Sequence, residues 1–347
     1  MGAKPWSVSL DGRVELVAVL EALTGRNPCP KGEESEDLAL ARESLDARHD
    51  AVRLMKVMDE KAWRHRHPSL IILDFGPPPA LAISRQREHY ANAGKDDAVA
   101  RLLPAARDFA ARPAFKEWLE AARARHAPAV ARVDEWIAES AYLKPVEDYL
   151  GLPLPHRYRF AVSPLLHGST PHNVLYRPER PEDEGLCEIH SIVGHRRVEG
   201  GKPDFSFKIP DFRHTAWHEV CHTVVDLWTQ ERRAGLEGLS GLYRLMTGLA
   251  KAKYDGPPGW LHMIDEHLIR AVTCRLIGLH EGAAEGLKSL EKERRDGFAL
   301  IGPVHELLKE YEATRREHPT LRDFYPRVEA LLSRLHAGLA GARGGAR

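Results

Sequence analysis

The run "WHEVCHTVVD", residues 217–226, holds two histidines four residues apart with a glutamate beside the first. On a helix that spacing puts His218 and His222 on one side of a single turn. Two neutral imidazoles so placed can both reach a zinc ion at about 2.0–2.1 Å and leave a coordination position open for water. Glu219 then falls to the side of the ion, where its carboxylate can take a proton from that water and later pass it to a leaving amine. The chemistry predicted is hydrolysis by zinc-bound water, with one Zn2+ ion and Glu219 as general base. The chain carries 19 histidines, so the five-residue pattern has roughly a one-in-ten expectation of arising by chance. Its weight therefore depends on the surrounding helix and on a third ligand.

That ligand is not supplied by an extended H-E-x-x-H-x-x-G-x-x-H pattern, because Val225 and Trp228 stand at the required glycine and histidine. The best candidate is Glu266 in "WLHMIDEHLIRAVTCRLIGLH". The apolar residues of this segment point in most directions, so it reads as a largely buried helix whose carboxylate needs a partner. His262, His267, Asp255 and Glu281 stay open as alternatives. Arg270, one turn beyond Glu266, either orients that carboxylate or simply pairs with it at i,i+4. Asp226, one turn beyond His222, reads as the acceptor that orients a ligand histidine, or as a solvated carboxylate. A donor for the developing oxyanion is sought among Arg270, His262, Tyr254 and Tyr325. Cys221 points to the apolar side and reads as a small core residue.

The element that positions the histidines is predicted as a helix from about 211 to 232, with Asp211 as N-cap and Gly235 beyond its end. Trp217, Val220, Cys221, Val224, Leu227 and Trp228 form its apolar stripe, with His218 and His222 at the edge, about 100–140° from Trp217. Upstream, residues 11–150 read as a helical layer. It begins at "DGRVELVAVLEALTG" with Asp11 as cap and Gly25 as stop, and continues in one long helix at "LALARESLDARHDAVRLMKVMDEKAW". Pro104, Pro113, Pro128 and Pro145 mark expected helix boundaries.

Between about 151 and 210 short runs such as "RYRFAVSPLL", "NVLYRP", "GLCEIHSIVG" and "FSFKIP" predict a small, mostly antiparallel sheet. "GLCEIHSIVG" or "FSFKIP" would offer an edge along which a peptide could lie. His190 and His195 read as surface or structural residues. Helices resume at 211 and run, with breaks at "DGPPGW" and Gly282, to about 335. The expected fold is α+β, zincin-like and predominantly helical. It comprises a helical layer over 1–150, a metal-site region over 151–337 that forms one continuous domain with it, and a flexible tail over 338–347.

Composition narrows the function classes. Fifty basic and fifty acidic side chains cancel, which argues against a nucleic-acid groove or a membrane-surface patch. No run of 18 apolar residues occurs, and the first twenty residues lack an uninterrupted apolar core for a signal peptide. Four dispersed cysteines do not make a disulfide framework. A cytoplasmic location and a peptide or protein substrate are expected, and the oligomeric state has no sequence signature.

The motif and the later glutamate together resemble the gluzincin zinc peptidases, in which H-E-x-x-H lies on one helix and a glutamate on a later helix completes the site. "HEVCHTVVD" is similar to the thermolysin pattern, including the aspartate four residues after the second histidine. A closer resemblance is to the bacterial peptidase-like family catalogued as domain of unknown function 4932. It rests on "GRVELVAVLEALTG", "HPSLI", "AWHEVCHTVVD", "EHLIRAV" and "LRDFYPRVEALL". The resemblance implies His218, His222 and Glu266 as zinc ligands and Glu219 as catalytic base. Two departures touch the residues around the ligands. Asp226–Leu227 stands where that family is expected to carry Asn–Pro, and Arg270 stands where the thermolysin group has an aspartate. The alternative to an active peptidase is a catalytically silent zincin-fold module that retains zinc and binds a peptide or protein. A third reading leaves the motif structural and without metal.

Overall fold

A computed structural model describes residues 6–25, 34–58, 69, 72–82, 97–140, 143–154, 156–167, 172–176, 187–206, 209–253 and 259–344. Tyr254 and the "DGPP" run, with Asp255, lie outside the described residues. The chain is mostly helical with a small sheet, an α+β composition. Its contacts group into two units, Met1–Ser140 with Pro155–Phe212, and Ala141–Leu154 with Arg213–Arg347.

The first unit opens with strand β1 (Trp6–Ser9) and helix α1 (Gly12–Leu23). Asp11 caps α1 by accepting from the Arg13 N–H, and Gly25 follows its end at φ +80°, a region that favours glycine. The long helix expected over residues 38–63 is instead two described helices, α2 (Glu36–Ser44) and α3 (Asp50–Val57). Local side chains explain the break. Asp46 accepts from the Arg48 N–H, and His49 Nδ1 accepts from the Ala51 N–H as the cap of α3, so the backbone has partners that compete with a continuous helix.

Helices α4 (Asp97–Ala111) and α5 (Pro113–Ser140) follow. Pro113 starts a helix as expected, but Pro104 and Pro128 lie inside α4 and α5 and end neither. An interior proline costs about 3 kcal/mol. In α4 that cost is opposed by burial of Leu102, Leu103, Ala106, Phe109 and Ala110, and in α5 by Phe115, Trp118, Leu119, Val133, Trp136 and Ile137.

After α6 (Leu143–Leu150), which belongs to the second unit, come β2 (His156–His167), β3 (His172–Tyr176), β4 (Cys187–His195), β5 (Arg197–Glu199) and β6 (Lys202–Asp204). The four-stranded sheet has the order β1-β2-β4-β3. β1 pairs parallel with β2, β2 pairs parallel with β4, and only β3 runs antiparallel to its neighbour β4. The expectation of a mostly antiparallel sheet is therefore corrected, although β5 and β6 do form an antiparallel pair.

The overlooked signal is in β2, where Phe160–Leu166 is buried without alternation, the pattern of a strand covered on both faces. "FSFKIP" forms no strand at Phe205 and Ser206, and a helix begins at Ile209. His190 and His195 of β4 are buried, so neither is a surface residue.

In the second unit, helix α7 (Ile209–Glu231) enters from the first unit and lies in the second from Arg213 onward. It starts two residues before the predicted Asp211 cap, with Pro210 in the first turn, where its missing N–H costs no helix bond. α8 (Arg233–Glu237), α9 (Gly248–Lys253), α10 (Trp260–His280), α11 (Ala283–Arg295), α12 (Ile301–Ala313) and α13 (Leu321–Gly344) complete the unit. Residues 338–344 thus belong to a helix.

Fourteen of the 21 residues of α10 are buried, which makes it the helix around which the unit is built, with α11 and α12 packed on it. No described helix is long and apolar enough to cross a membrane.

Candidate metal centre

Two helices position the site; contacts at their two ends set their register, and a third ties α7 to α13. At one end of α7, Arg213 and His214 hold the two oxygens of Glu281 at 2.5 and 2.8 Å, just past the end of α10. At the other end, the Trp260 indole N–H of α10 donates to the Leu236 carbonyl of α8. The Thr229 hydroxyl of α7 meets the Tyr325 hydroxyl of α13 at 2.6 Å. α7 and α10 therefore run antiparallel, with residues 218–226 of one opposite 262–266 of the other.

The apolar stripe of α7 is buried as predicted at Trp217, Val220, Cys221, Val224 and Trp228. His218, Glu219 and His222 are half-buried beside it. Burial pushes the Cys221 thiol well up, which fits a core residue.

Within this frame three side chains converge. His218 Nε2 and His222 Nε2 are 3.2 Å apart. Each is 3.7 Å from a different oxygen of Glu266. A tetrahedral zinc ion with bonds of about 2.0–2.1 Å separates its ligand atoms by about 3.3 Å. The two nitrogens already stand at about that spacing, each has one Glu266 oxygen a few tenths of an ångström beyond it, and the N,N,O donor set is one that zinc takes. The residues present fit the ion.

The converging atoms are held from behind. His222 Nδ1 is 2.9 Å from Asp226 Oδ1, which directs Nε2 toward the centre. Burial disfavours the charged ring, but the hydrogen bond and charge of Asp226, with Glu266 and Glu219, outweigh it and raise the pKa of His222 to about 9. Arg270 Nε donates to Glu266 Oε2 at 2.8 Å, and its Nη1 donates to Glu293 Oε2 at 2.7 Å. Its guanidinium also lies 4.1 Å from the centre of the Phe298 ring. So fixed, Arg270 is an anchor for Glu266.

The other candidates separate by place. His262 is exposed, stacks on His222 with ring centres 5.9 Å apart, and has Nε2 3.9 Å from Glu266 Oε1. His267 is turned away, with Nδ1 on the Met263 carbonyl and its ring against Phe298, and burial lowers its pKa to about 4. Glu281 is engaged by Arg213 and His214. Tyr325 is fully buried against Thr229, which removes it from the donors that could meet a substrate oxyanion.

Two further residues matter here that the sequence pattern does not single out. Glu293 of α11 carries no local signal, since only the packing of α11 on α10 brings it to Arg270. Asp265 does have a signal, being a second acid beside Glu266 on a helix buried in most directions. Its carboxyl is pushed well above the usual carboxylate range by burial first and by the charge of Asp226 next.

The family described as a domain of unknown function, DUF4932, matches residues 65–331. The chain belongs to it. No curated protein and no solved structure matches the chain. The matched stretch of this DUF4932 member includes all of α7 and α10, and so every residue of the centre described above.

Proposed function

We propose that this DUF4932 protein is a zinc-dependent hydrolase of the gluzincin type, acting on peptide amides. The observation that carries this reading is the convergence of His218 Nε2 and His222 Nε2, 3.2 Å apart, on Glu266, with each nitrogen 3.7 Å from one of its oxygens. Zinc, when bound, would supply Lewis acidity to a water and to the substrate carbonyl. His218, His222 and Glu266 would hold the ion.

The remaining work falls to the chain. Asp226 keeps the Nδ1 proton of His222 and so leaves Nε2 as the ligand atom. His222 must release its extra proton when the ion binds, which couples metal uptake to proton release. Arg270 holds Glu266 by one oxygen while Oε1 stays directed at His222. Glu219, beside His218 and half-buried, takes the proton from the attacking water and returns it to the leaving nitrogen.

The test is the metal content of protein purified without chelator, together with cleavage of a diverse peptide library by wild type and Glu219→Gln. At least one zinc per chain is expected in both proteins, with cleavage at least about 100-fold slower in the variant. Absence of zinc, or equal cleavage by the two, would overturn the proposal. Zinc retained by a wild type that cleaves nothing would select the silent binding module instead.

A further inference from the structure

The register of α7 and α10 places a second set of donors beyond the first. On α7 the residues His218, His222 and Asp226 follow one another at four-residue intervals, and on α10 His262 and Asp265 lie before and beside Glu266. Asp226, His262 and Asp265 each bring one donor atom within 4.8 Å of the other two. Closeness of acids alone would be unremarkable, since exposed carboxylates often cluster. Asp265 is different, because its side chain is only 3% exposed and its Oδ1 has no hydrogen-bond partner among the described residues. The Thr229 hydroxyl gives this carboxyl some support but is also engaged with Tyr325. A buried carboxylate oxygen left bare beside a second carboxylate is unfavourable unless a proton or a cation meets it.

We infer that Asp226, His262 and Asp265 form a second divalent-cation site, about one helical turn along α7 and α10 from the centre at His218, His222 and Glu266. The donor set selects the class of ion. Two carboxylates and one imidazole suit Mn2+, Co2+ or Zn2+, whereas Ca2+ prefers an all-oxygen shell of six to eight ligands and softer ions prefer thiolates.

The site can fill without dismantling the first. His222 Nδ1 occupies Oδ1 of Asp226, and the other oxygen remains to be offered to a cation. His262 and Asp226 are both partly open to solvent, with side chains 51% and 41% exposed, which gives an ion a way in and leaves room for water ligands. Three carboxylates, from Asp226, Asp265 and Glu266, lie around the two positions and offset the repulsion between two divalent ions, as carboxylates do in sites where metals sit about 3.5–4 Å apart. An ion here fixes Asp226, and through it the ring of His222. The site therefore positions a residue of the first centre, and it requires neither zinc there nor turnover.

The test uses the full chain, stripped of metal by chelation and titrated with Mn2+ while electron paramagnetic resonance follows the free ion. His218→Ala removes the first centre without touching Asp226, so this variant is expected to bind one Mn2+ per chain. Adding Asp265→Asn or His262→Ala to it should weaken that binding at least tenfold. The His262 variant alters an exposed residue and keeps the test decisive if the Asp265 variant does not fold. Failure of His218→Ala to bind Mn2+, or unchanged binding in the two double variants, overturns the inference. The zinc lost between wild type and His218→Ala, one ion per chain if the first centre is real, reports separately on that centre, so either site can fail alone.

Discussion

Glu266 is nearly fully buried and is met by a cation on one side and by two imidazoles on the other. Its pairing with Arg270 is the i,i+4 ion pair that a helix without any metal would also form, and the pair coexists with the approach of both histidines to Glu266. Arg270 carries two carboxylates at once, Glu266 and Glu293. Replacing it with methionine leaves both facing each other in a poorly hydrated place, where loss of one partner of a buried pair costs about 3–5 kcal/mol. Zinc changes that expectation, since a bound ion neutralises Glu266 independently of Arg270. Urea unfolding of Arg270→Met is therefore expected to show a large loss in EDTA and a clearly smaller one with saturating zinc. Equal losses in the two conditions would mean that Glu266 does not meet the metal.

At the level of elements, the helix bearing the histidines was legible because its apolar stripe has a strict period and is long enough to average out local exceptions. Burial of α10 was legible for a similar reason, since no face of it is polar. Where the reading failed, the deciding interaction was remote or very local. Parallel pairing of β2 with β4 depends on chain paths that strand-length windows do not contain. The break between α2 and α3 depends on two side chains, Asp46 and His49. Pro104 and Pro128 stay inside helices because packing overrides an intrinsic cost.

Glu293 belongs to this remote class, because it reaches Arg270 only through the close approach of α11 to α10. That approach is set by glycines: a Cβ on Gly286 would lie 2.7 Å from Gly278 Cα and 2.9 Å from the Cys274 carbonyl oxygen. Gly286→Ala must push the two helices apart. It is expected to cost about 1–3 kcal/mol in thermal or urea melts and to weaken zinc binding by drawing Glu293 off Arg270. An alanine variant as stable as wild type would show that the contact yields more easily than these distances imply.

Across the whole molecule, the first unit holds a buried acid of its own, at a residue that plays no part in the proposed metal centre. Glu15 of α1 is fully buried. Burial, with lesser contributions from Asp37 and Asp11, raises its pKa to about 8, and the nearby Ser163 hydroxyl offsets this only in part. The folded chain then holds a proton on Glu15 that the unfolded chain releases near its ordinary value of 4.5. Because the folded pKa is the higher one, this group's stabilisation is complete below about 4.5 and is lost as pH rises toward 8 and beyond. A tenfold difference in proton affinity between the two states corresponds to about 1.4 kcal/mol, so the loss is on the order of a few kcal/mol.

Asp11 and Asp37 have lowered values and act in the opposite sense, losing stability as pH falls through their folded pKa, so wild type alone does not isolate the effect. Glu15→Gln keeps the shape and removes the titration. In EDTA, which keeps the metal centre out of the comparison, the variant should match wild type near pH 5 and exceed it increasingly up to pH 8–9. If the two stability curves run parallel across that range, Glu15 is not held protonated in the fold.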